Sequence, residues 1–311
     1  MQIFDFAEKI WIVKEGIMRS IFLFFLLSST IWDYDLNFAV EFNDHSAAFW
    51  VAYDKGWFKE VGINIKNLKI FRTGLELAAA FARGDIDVGI ACLGPCIVLY
   101  KRGVPIKVLM MLHLHGYALV SGEGVKNIKE LDGEILTTSG KGAPVWLLAK
   151  IIEDKFKLKF KLKKMPPFVA ASLIASEQIK GGFLPEHYVS LVVNKGGVII
   201  INSQDVWGNM PGSVLIVKKS LLEDEEIIEK LKNVFKKALQ YINSNFEDAS
   251  RIVARHLKLK DWRVVYESMK NLVYTDRIDR GEIEKYINLM IKWKAIEGSV
   301  DIEDFIVWDE K

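Results

Sequence analysis

Three short segments carry the residue types best suited to bind a small anion. They are residues 42–46 (FNDHS), 72–74 (RTG) and 93–95 (LGP), and each separates an apolar run from a helix-like pattern. A helix N-terminus offers free backbone N–H groups and the positive end of the helix dipole, which favour an anion or a hydrogen-bond acceptor. Gly94 lets the backbone approach a neighbour closely, and Pro95 starts a helix without wasting an N–H. One such segment is typical of an ordinary capped turn, whereas three on one edge favour a ligand site.

The segments lie between elements whose sequence patterns alternate between those of a strand and those of a helix. The runs LNFAVEF, INIKNLKIF and DVGIACL predict strands. Residues 46–62 predict one helix ending near Gly62, and GLELAAAFARG predicts a second helix ending at Gly84. This βαβαβ order predicts a parallel sheet, in which the loops at the carboxyl ends of the strands face the ligand crevice.

A second α/β half follows, and it has a glycine-rich turn of its own at residues 139–142 (SGKG). An extended run is predicted over residues 108–121, and the pattern after Lys219 is helical almost to the end. Arg72 is a candidate for bidentate pairing with an anionic head group, although a solvated arginine at a strand end fits the sequence equally well.

Histidine and cysteine placement leaves two alternatives open. Four of the five histidines fall on predicted crevice or hinge segments: His45, His113, His115 and His187. They bind a metal only if several converge on one ion, and otherwise each is an individually satisfied residue or a donor to ligand oxygens. Cys92 and Cys96 are poorly spaced for a disulfide or a zinc site and fit two small apolar residues packed under a loop.

Length and charge narrow the class of protein. The 311 residues allow one large α/β unit or two domains, and the charges (42 Lys+Arg, 40 Asp+Glu) are interspersed, which argues against nucleic acid as a partner.

Residues 21–27 form an apolar run after Arg19 and before small residues, the layout of a short secretion signal starting at Met18. A buried strand or an amphipathic helix at residues 21–27 is the alternative. Residues 1–17 then form an upstream extension.

The order of the motifs resembles a known family. The segments YDKGWFKEVGI, AFARGDIDVGI, LGP, RGVPIKV, TTSGKGAPVW, GGFLPEHY and MPGSVLIVKK resemble the nitrate/sulfonate/taurine family of ABC-transporter solute-binding proteins. The fungal thiamine-pyrimidine synthases resemble the same family. The resemblance runs from about Leu36 to about Trp308.

This resemblance implies a two-lobed α/β fold of the type II periplasmic-binding-protein class, with the ligand cleft between the lobes. Residues 36–112 and 213–311 would form the first lobe, residues 113–212 the second, and residues 1–35 an extension with the signal or anchor. The implied ligand-binding residues of the first lobe are Asn43, His45, Ser46, Thr73, Gly74, Gly94 and Pro95. Those of the second lobe are Ser139, Gly140, Gly142, Glu186, His187, Met210 and Pro211. Where many relatives carry Trp-Glu-Pro this chain has LPEHY, and Cys96-Ile97 replaces their small residues after Gly-Pro.

The leading hypothesis is an extracytoplasmic receptor that binds a small anionic solute, such as a sulfonate, taurine or nitrate. The receptor would act as a monomer, without a cofactor or metal, and deliver the solute to a membrane permease with a separate ATPase. The chain lacks a Gly-x-x-x-x-Gly-Lys-Ser/Thr loop and is not that ATPase. The alternatives are an enzyme of the same fold, acting on a thiamine pyrimidine precursor or a menaquinone-pathway intermediate, and a ligand-sensing domain of a regulator. The iron motif of the pyrimidine synthases would need a cysteine cluster beyond Cys92 and Cys96.

Overall fold

The computed structural model describes residues 34–308, so the predicted signal at residues 21–27 and the extension before it lie outside the described residues. The chain builds two five-stranded sheets. In the first sheet the strand order is β2-β1-β3-β11-β4. Its strands are β1 (Tyr34–Glu41), β2 (Ile63–Phe71), β3 (Val88–Cys92), β4 (Ile106–Met111) and β11 (Ser213–Lys218). β1 is parallel to β2 and β3, whereas β11 lies antiparallel between β3 and β4.

The second sheet has the order β10-β6-β9-β7-β8. Its strands are β6 (Tyr117–Ser121), β7 (Ile135–Thr138), β8 (Lys161–Lys164), β9 (Gly181–Pro185) and β10 (Val198–Asn202). A separate pair, β5 (His113–His115) and β12 (Leu272–Tyr274), lies at the passage between the sheets. The predicted lobe boundaries near residues 112 and 213 stay a prediction.

Helices cover both sheets. Those of the first 160 residues are α1 (Ala47–Asp54), α2 (Trp57–Glu60), α3 (Gly74–Ala82), α4 (Leu93–Lys101) and α5 (Pro144–Phe156). Next come α6 (Pro167–Ala175), α7 (Tyr188–Val193), α8 (Ser203–Val206), α9 (Glu225–Ser244) and α10 (Phe246–His256). The last are α11 (Trp262–Met269), α12 (Arg280–Lys292) and α13 (Ile302–Phe305). No helix within residues 34–308 has the length and apolar character needed to cross a membrane.

The longest described helix, α9, buries one apolar face in the hydrophobic core, as its sequence periodicity predicts. Asp224 caps α9 by accepting a hydrogen bond from the Ile227 N–H, and the apolar stripe of α9 then buries residues such as Leu231 and Phe235. The Phe235 ring packs edge-on against Phe58. This cluster covers one face of the first sheet and fixes the strands whose ends carry the candidate site.

The structure corrects three details of the predicted elements. The single helix expected over residues 46–62 is broken into α1 and α2, because Gly56 takes a left-handed φ of 74° between them. The extended run expected over residues 108–121 is divided into β4, β5 and β6, and Gly116 turns the chain with a φ of 81°. The loop expected at residues 93–95 does not exist, since β3 ends at Cys92 and α4 begins at Leu93.

Candidate functional site: a cavity between the two sheets

A small cavity of about 30 Å³ lies between the carboxyl ends of β1 and β3 and the facing part of the second sheet. Its first-sheet lining consists of Glu41, Asn43, Arg72, Thr73, Gly74, Leu75 and Cys92. Its second-sheet lining consists of Tyr117, Ser139, Ala143, Pro144, Val145, Pro167, Pro185 and Tyr188. A volume of this size holds roughly two water molecules, so a solute can enter only if the two sides separate.

Five predicted site residues line this cleft cavity. They are Asn43, Arg72, Thr73, Gly74 and Ser139. Thr73 is the N-cap of α3, and its hydroxyl accepts a hydrogen bond of 3.3 Å from the Glu76 N–H. This cap places Gly74 at the first helical position, where an added side chain would press on the side chains of Glu41 and Pro95. A Cβ added to Gly74 would lie 2.7 Å from Glu41 Oε1.

Arg72 links the two sides of the cavity. Its guanidinium lies 4.5 Å from the centre of the Phe168 ring, which belongs to α6 on the second side. No carboxylate within residues 34–308 forms an ion pair with this guanidinium. Arg72 is therefore a positive group at the cavity that remains available for an anion.

Gly94 and Gly142 bring the two sides together without lining the cavity. A Cβ added to Gly94 would lie 2.3 Å from the backbone oxygen of Gly142 and 2.8 Å from the Tyr286 hydroxyl. A Cβ on Gly142 would lie 3.2 Å from a methyl group of Val98 in α4. The start of α4 thus touches the glycine-rich turn of the second half directly. Sequence reasoning expected Gly94 to permit a close approach, and the approaching group is another part of the chain.

The remaining predicted residues lie outside the cavity lining. These are His45, Ser46, Pro95, Gly140, Glu186, His187, Met210 and Pro211. The Gly140 N–H donates to the Thr138 hydroxyl at 3.2 Å, and its φ of 109° belongs to the left-handed region. The Met210 oxygen accepts from the His115 N–H, and Pro211 is bridged to Leu114, so both belong to the strand crossing.

The four candidate histidines, His45, His113, His115 and His187, are buried, and they do not form a metal centre. The rings of His45 and His113 lie 4.4 Å apart. Burial lowers the pKa of His113 and of His187 to about 3, and burial together with the neighbouring His113 lowers the pKa of His45 well below its usual value. Within the described range 34–308, no group of three His, Cys, Asp or Glu residues is arranged to hold a metal ion.

Two buried carboxyl groups accompany these histidines. Glu186 accepts hydrogen bonds from the Asn271 amide at 2.7 Å and from the Ser190 hydroxyl at 3.0 Å. Burial, with a further contribution from Asp44, raises the pKa of Glu186 to about 8. Burial also raises the pKa of Asp44 to about 7, although the Ser268 hydroxyl donates to it. Asp44 thus joins η1 (Asp44–Ser46) to α11 through Ser268, and Glu186 joins the second half to Asn271, the residue before β12.

Glu41 is the charged residue of the cavity lining that sequence reasoning missed. It is the last residue of β1, it is only 4% exposed, and it accepts a hydrogen bond of 3.0 Å from the Cys92 N–H. Burial raises the pKa of its carboxyl group. The available signal was a lone charge in the apolar run NFAVEF, next to the predicted ligand segment at residues 42–46.

A larger groove of about 1000 Å³ lies elsewhere on the molecule. It runs between α3, α4 and residues 218–223, and all of its walls belong to the first-sheet side. Of the predicted site residues it contains Pro95 alone, although Leu75 lines both the groove and the smaller cavity. The smaller cavity between the sheets is therefore the candidate functional site.

The comparisons agree with this architecture. A model of the NMT1/THI5-like family matches residues 43–249, which is more than half of the chain. The chain belongs to the NMT1/THI5-like family. The matched range includes the whole of the second sheet and every residue of the cavity lining except Glu41, which lies two residues before it. A comparison with individually curated proteins found no match.

Solved structures share the fold of this NMT1/THI5-like chain. The zinc-bound ligand-binding component of an ABC-type import system from Staphylococcus aureus has a TM-score of 0.78 and 18% identity, over 88% of this chain and 97% of that one. The alkanesulfonate-binding protein SsuA from Xanthomonas axonopodis pv. citri, bound to MOPS, gives 0.76 and 13%, over 88% and 98%. The CA3427 product of Candida albicans, described as having the generic periplasmic-binding-protein fold, gives 0.70 and 16%, over 88% and 96%. The predicted fold class is confirmed.

Proposed function

We propose that this chain is the extracytoplasmic solute-binding receptor of an ABC importer. Residues 36–112 and 213–311 would form one lobe, and residues 113–212 the other. The observation that carries the proposal is the contact between Gly94 and Gly142, which joins the two sides directly beside a cavity lined by polar groups from both. Closure around a solute is favoured only by contacts that the closed state adds, and this arrangement supplies them.

The solute is a small molecule with an anionic group, of the sulfonate, taurine or nitrate kind. Arg72 and Ser139 line the cavity from opposite sides and offer a guanidinium and a hydroxyl to such a group. The sulfonate-binding name of the Xanthomonas neighbour supports this class of solute. The receptor would act as a monomer and dock on a membrane permease that is powered by a separate ATPase.

The two cysteines favour a receptor over an enzyme of the same fold. Burial, with a smaller contribution from Glu41, raises the pKa of both Cys92 and Cys96. A protonated, buried thiol is a poor nucleophile and a poor metal ligand. Neither Cys92 nor Cys96 is therefore suited to act as a nucleophile at the cavity.

The proposal is tested by expressing the chain from Met18 in its own host. We expect fractionation to find it exported, either cleaved between about residues 28 and 35 or tethered by residues 21–27. We expect native mass spectrometry of the purified protein to detect one bound small solute. An intact chain in the cytosol that carries no solute would contradict the receptor and favour the enzyme.

Ser139→Ala tests the second side of the cavity. We expect this variant to bind the solute identified by mass spectrometry more weakly by about 1–2 kcal/mol, the scale of one hydrogen bond to a charged group. Gly140→Val should abolish binding, because its φ of 109° belongs to a region that valine rarely adopts. Titration calorimetry measures both, and Ser220→Ala, an exposed serine away from the cavity, is the matched control. An unchanged affinity in Ser139→Ala would remove this residue from the site.

A further inference from the structure

The cavity already contains an acidic group of the chain itself, Glu41. Glu41 Oε1 accepts the Cys92 N–H at 3.0 Å, and Cys92 is the N-cap of α4. The same oxygen lies 2.7 Å from the position of a Cβ on Gly74, the first residue of α3. The Glu41 carboxyl group therefore binds the N-cap N–H of α4 and lies against the first residue of α3, where the sequence predicted a bound anion.

A second anion at this position would find the Cys92 N–H already bound to Glu41. Within residues 34–308, Glu41 is bound by the N–H and thiol of Cys92 and by the amide of Asn43, all uncharged groups. A buried carboxylate without a cationic partner favours a ligand that brings a positive group or a hydrogen-bond donor.

Asn43 provides an independent observation that points the same way. Its Nδ2 donates to Glu41 Oε2 at 3.2 Å, which fixes the orientation of the amide. Its Oδ1 is buried and has no hydrogen-bond partner among the described residues, and Asn43 lines the cavity. An orphaned buried acceptor is costly unless a ligand donates to it. Glu41 and Asn43 together form a pair of acceptors at one end of the cavity.

We propose that this acceptor pair receives a protonated amine of the solute, while the anionic group of the same solute faces Arg72 and Ser139. Glu41 is then the residue that determines specificity, because it selects solutes with a cationic nitrogen and rejects simple oxyanions. The inference rests on the proposed receptor function and defines the charge pattern of its solute. A molecule with a positive and a negative end satisfies both ends of the cavity at once.

Two probes that differ by one amine test this proposal. Titration calorimetry should compare 2-aminoethanesulfonate with ethanesulfonate on the whole chain. We expect the wild-type protein to bind the aminosulfonate at least about tenfold more tightly, and Glu41→Gln to lose or reverse that preference. Asn43→Ala should lose part of it, which keeps the test valid if Glu41→Gln fails to fold. Glu297→Gln, which removes an exposed charge away from the cavity, should keep the wild-type preference.

The outcomes separate this inference from the receptor proposal. Wild-type protein that binds ethanesulfonate as tightly as the aminosulfonate, or an unchanged preference in Glu41→Gln, would overturn the role of Glu41 and leave a receptor for anions. Binding of neither probe would also overturn the assignment. In that case the solute found by native mass spectrometry decides whether the receptor function stands.

Discussion

Replacing Gly94 by valine will hold the two sides of the molecule apart and weaken solute binding by about a hundredfold. The added Cβ would lie 2.3 Å from the Gly142 carbonyl oxygen, which is a backbone atom and cannot swing away as a side chain would. The start of α4 and the turn before α5 must therefore separate. Small-angle scattering should show a larger radius for the variant with solute present, and calorimetry should show the loss of affinity.

Gly124→Val is the matched control for this experiment. A Cβ on Gly124 meets no atom within 4 Å, and its backbone does not adopt a positive φ. We expect this variant to bind and close like the wild type. A Gly94→Val protein that closes with wild-type affinity would show that the contact between Gly94 and Gly142 is not part of the bound state.

The second prediction concerns the stability of the solute-free protein against pH. The pKa of Glu186 is raised to about 8 by burial, so the folded state holds a proton that the unfolded state has already released at neutral pH. Such a group contributes stability below its unfolded pKa and loses it as the pH rises through its folded pKa. Stability should therefore fall between pH 6.5 and pH 8, and Glu186→Gln should remove roughly 2 kcal/mol of that fall.

The range from pH 6.5 to pH 8 lies above the pH values at which the histidines mainly affect stability. The lowered pKa values of the histidines act in the opposite sense. Below about pH 6.5 these histidines take up protons when the protein unfolds, which lowers its stability, and this stability returns as the pH rises to about 6.5. Asp44, with a pKa of about 7, adds to the fall in wild type and variant alike. Urea unfolding followed by circular dichroism gives the free energies, with exposed Glu284→Gln as control. Parallel pH profiles for wild type and Glu186→Gln would contradict the prediction.

Local pattern predicted the strand ends at the cavity to within one residue and the start of α3 at Gly74, but it placed a loop at residues 93–95 where α4 already begins. The helix cap at Thr73 and the close approach at Gly94 both follow from residue types whose effects are short-range. The break at Gly56 escaped prediction because a glycine inside an amphipathic pattern is compatible with a continuous helix. β12 escaped because three residues are too few to show a period.

Long-range placement could not be read from the sequence. Glu41 precedes Cys92 by 51 residues, and its burial depends on parallel pairing of β1 with β3. In the sequence it is a single charge at the end of a strand, where a solvated side chain is equally compatible. The partner of Gly94 in the second half was likewise hidden, because nothing local to Gly142 specifies which helix start it meets.

The position of β11 has a consequence for the order in which this molecule can assemble. β11 lies between β3 and β4, and its first residue, Ser213, is 121 residues beyond Cys92 in the chain. The ribosome synthesises β3 and β4 long before β11, the strand that pairs with both of them. Pairing between strands so far apart in the sequence is slow. The first sheet therefore stays incomplete until residue 218 has left the ribosome. Until then the emerging chain cannot complete its first sheet and stays unfolded enough to pass through a narrow channel.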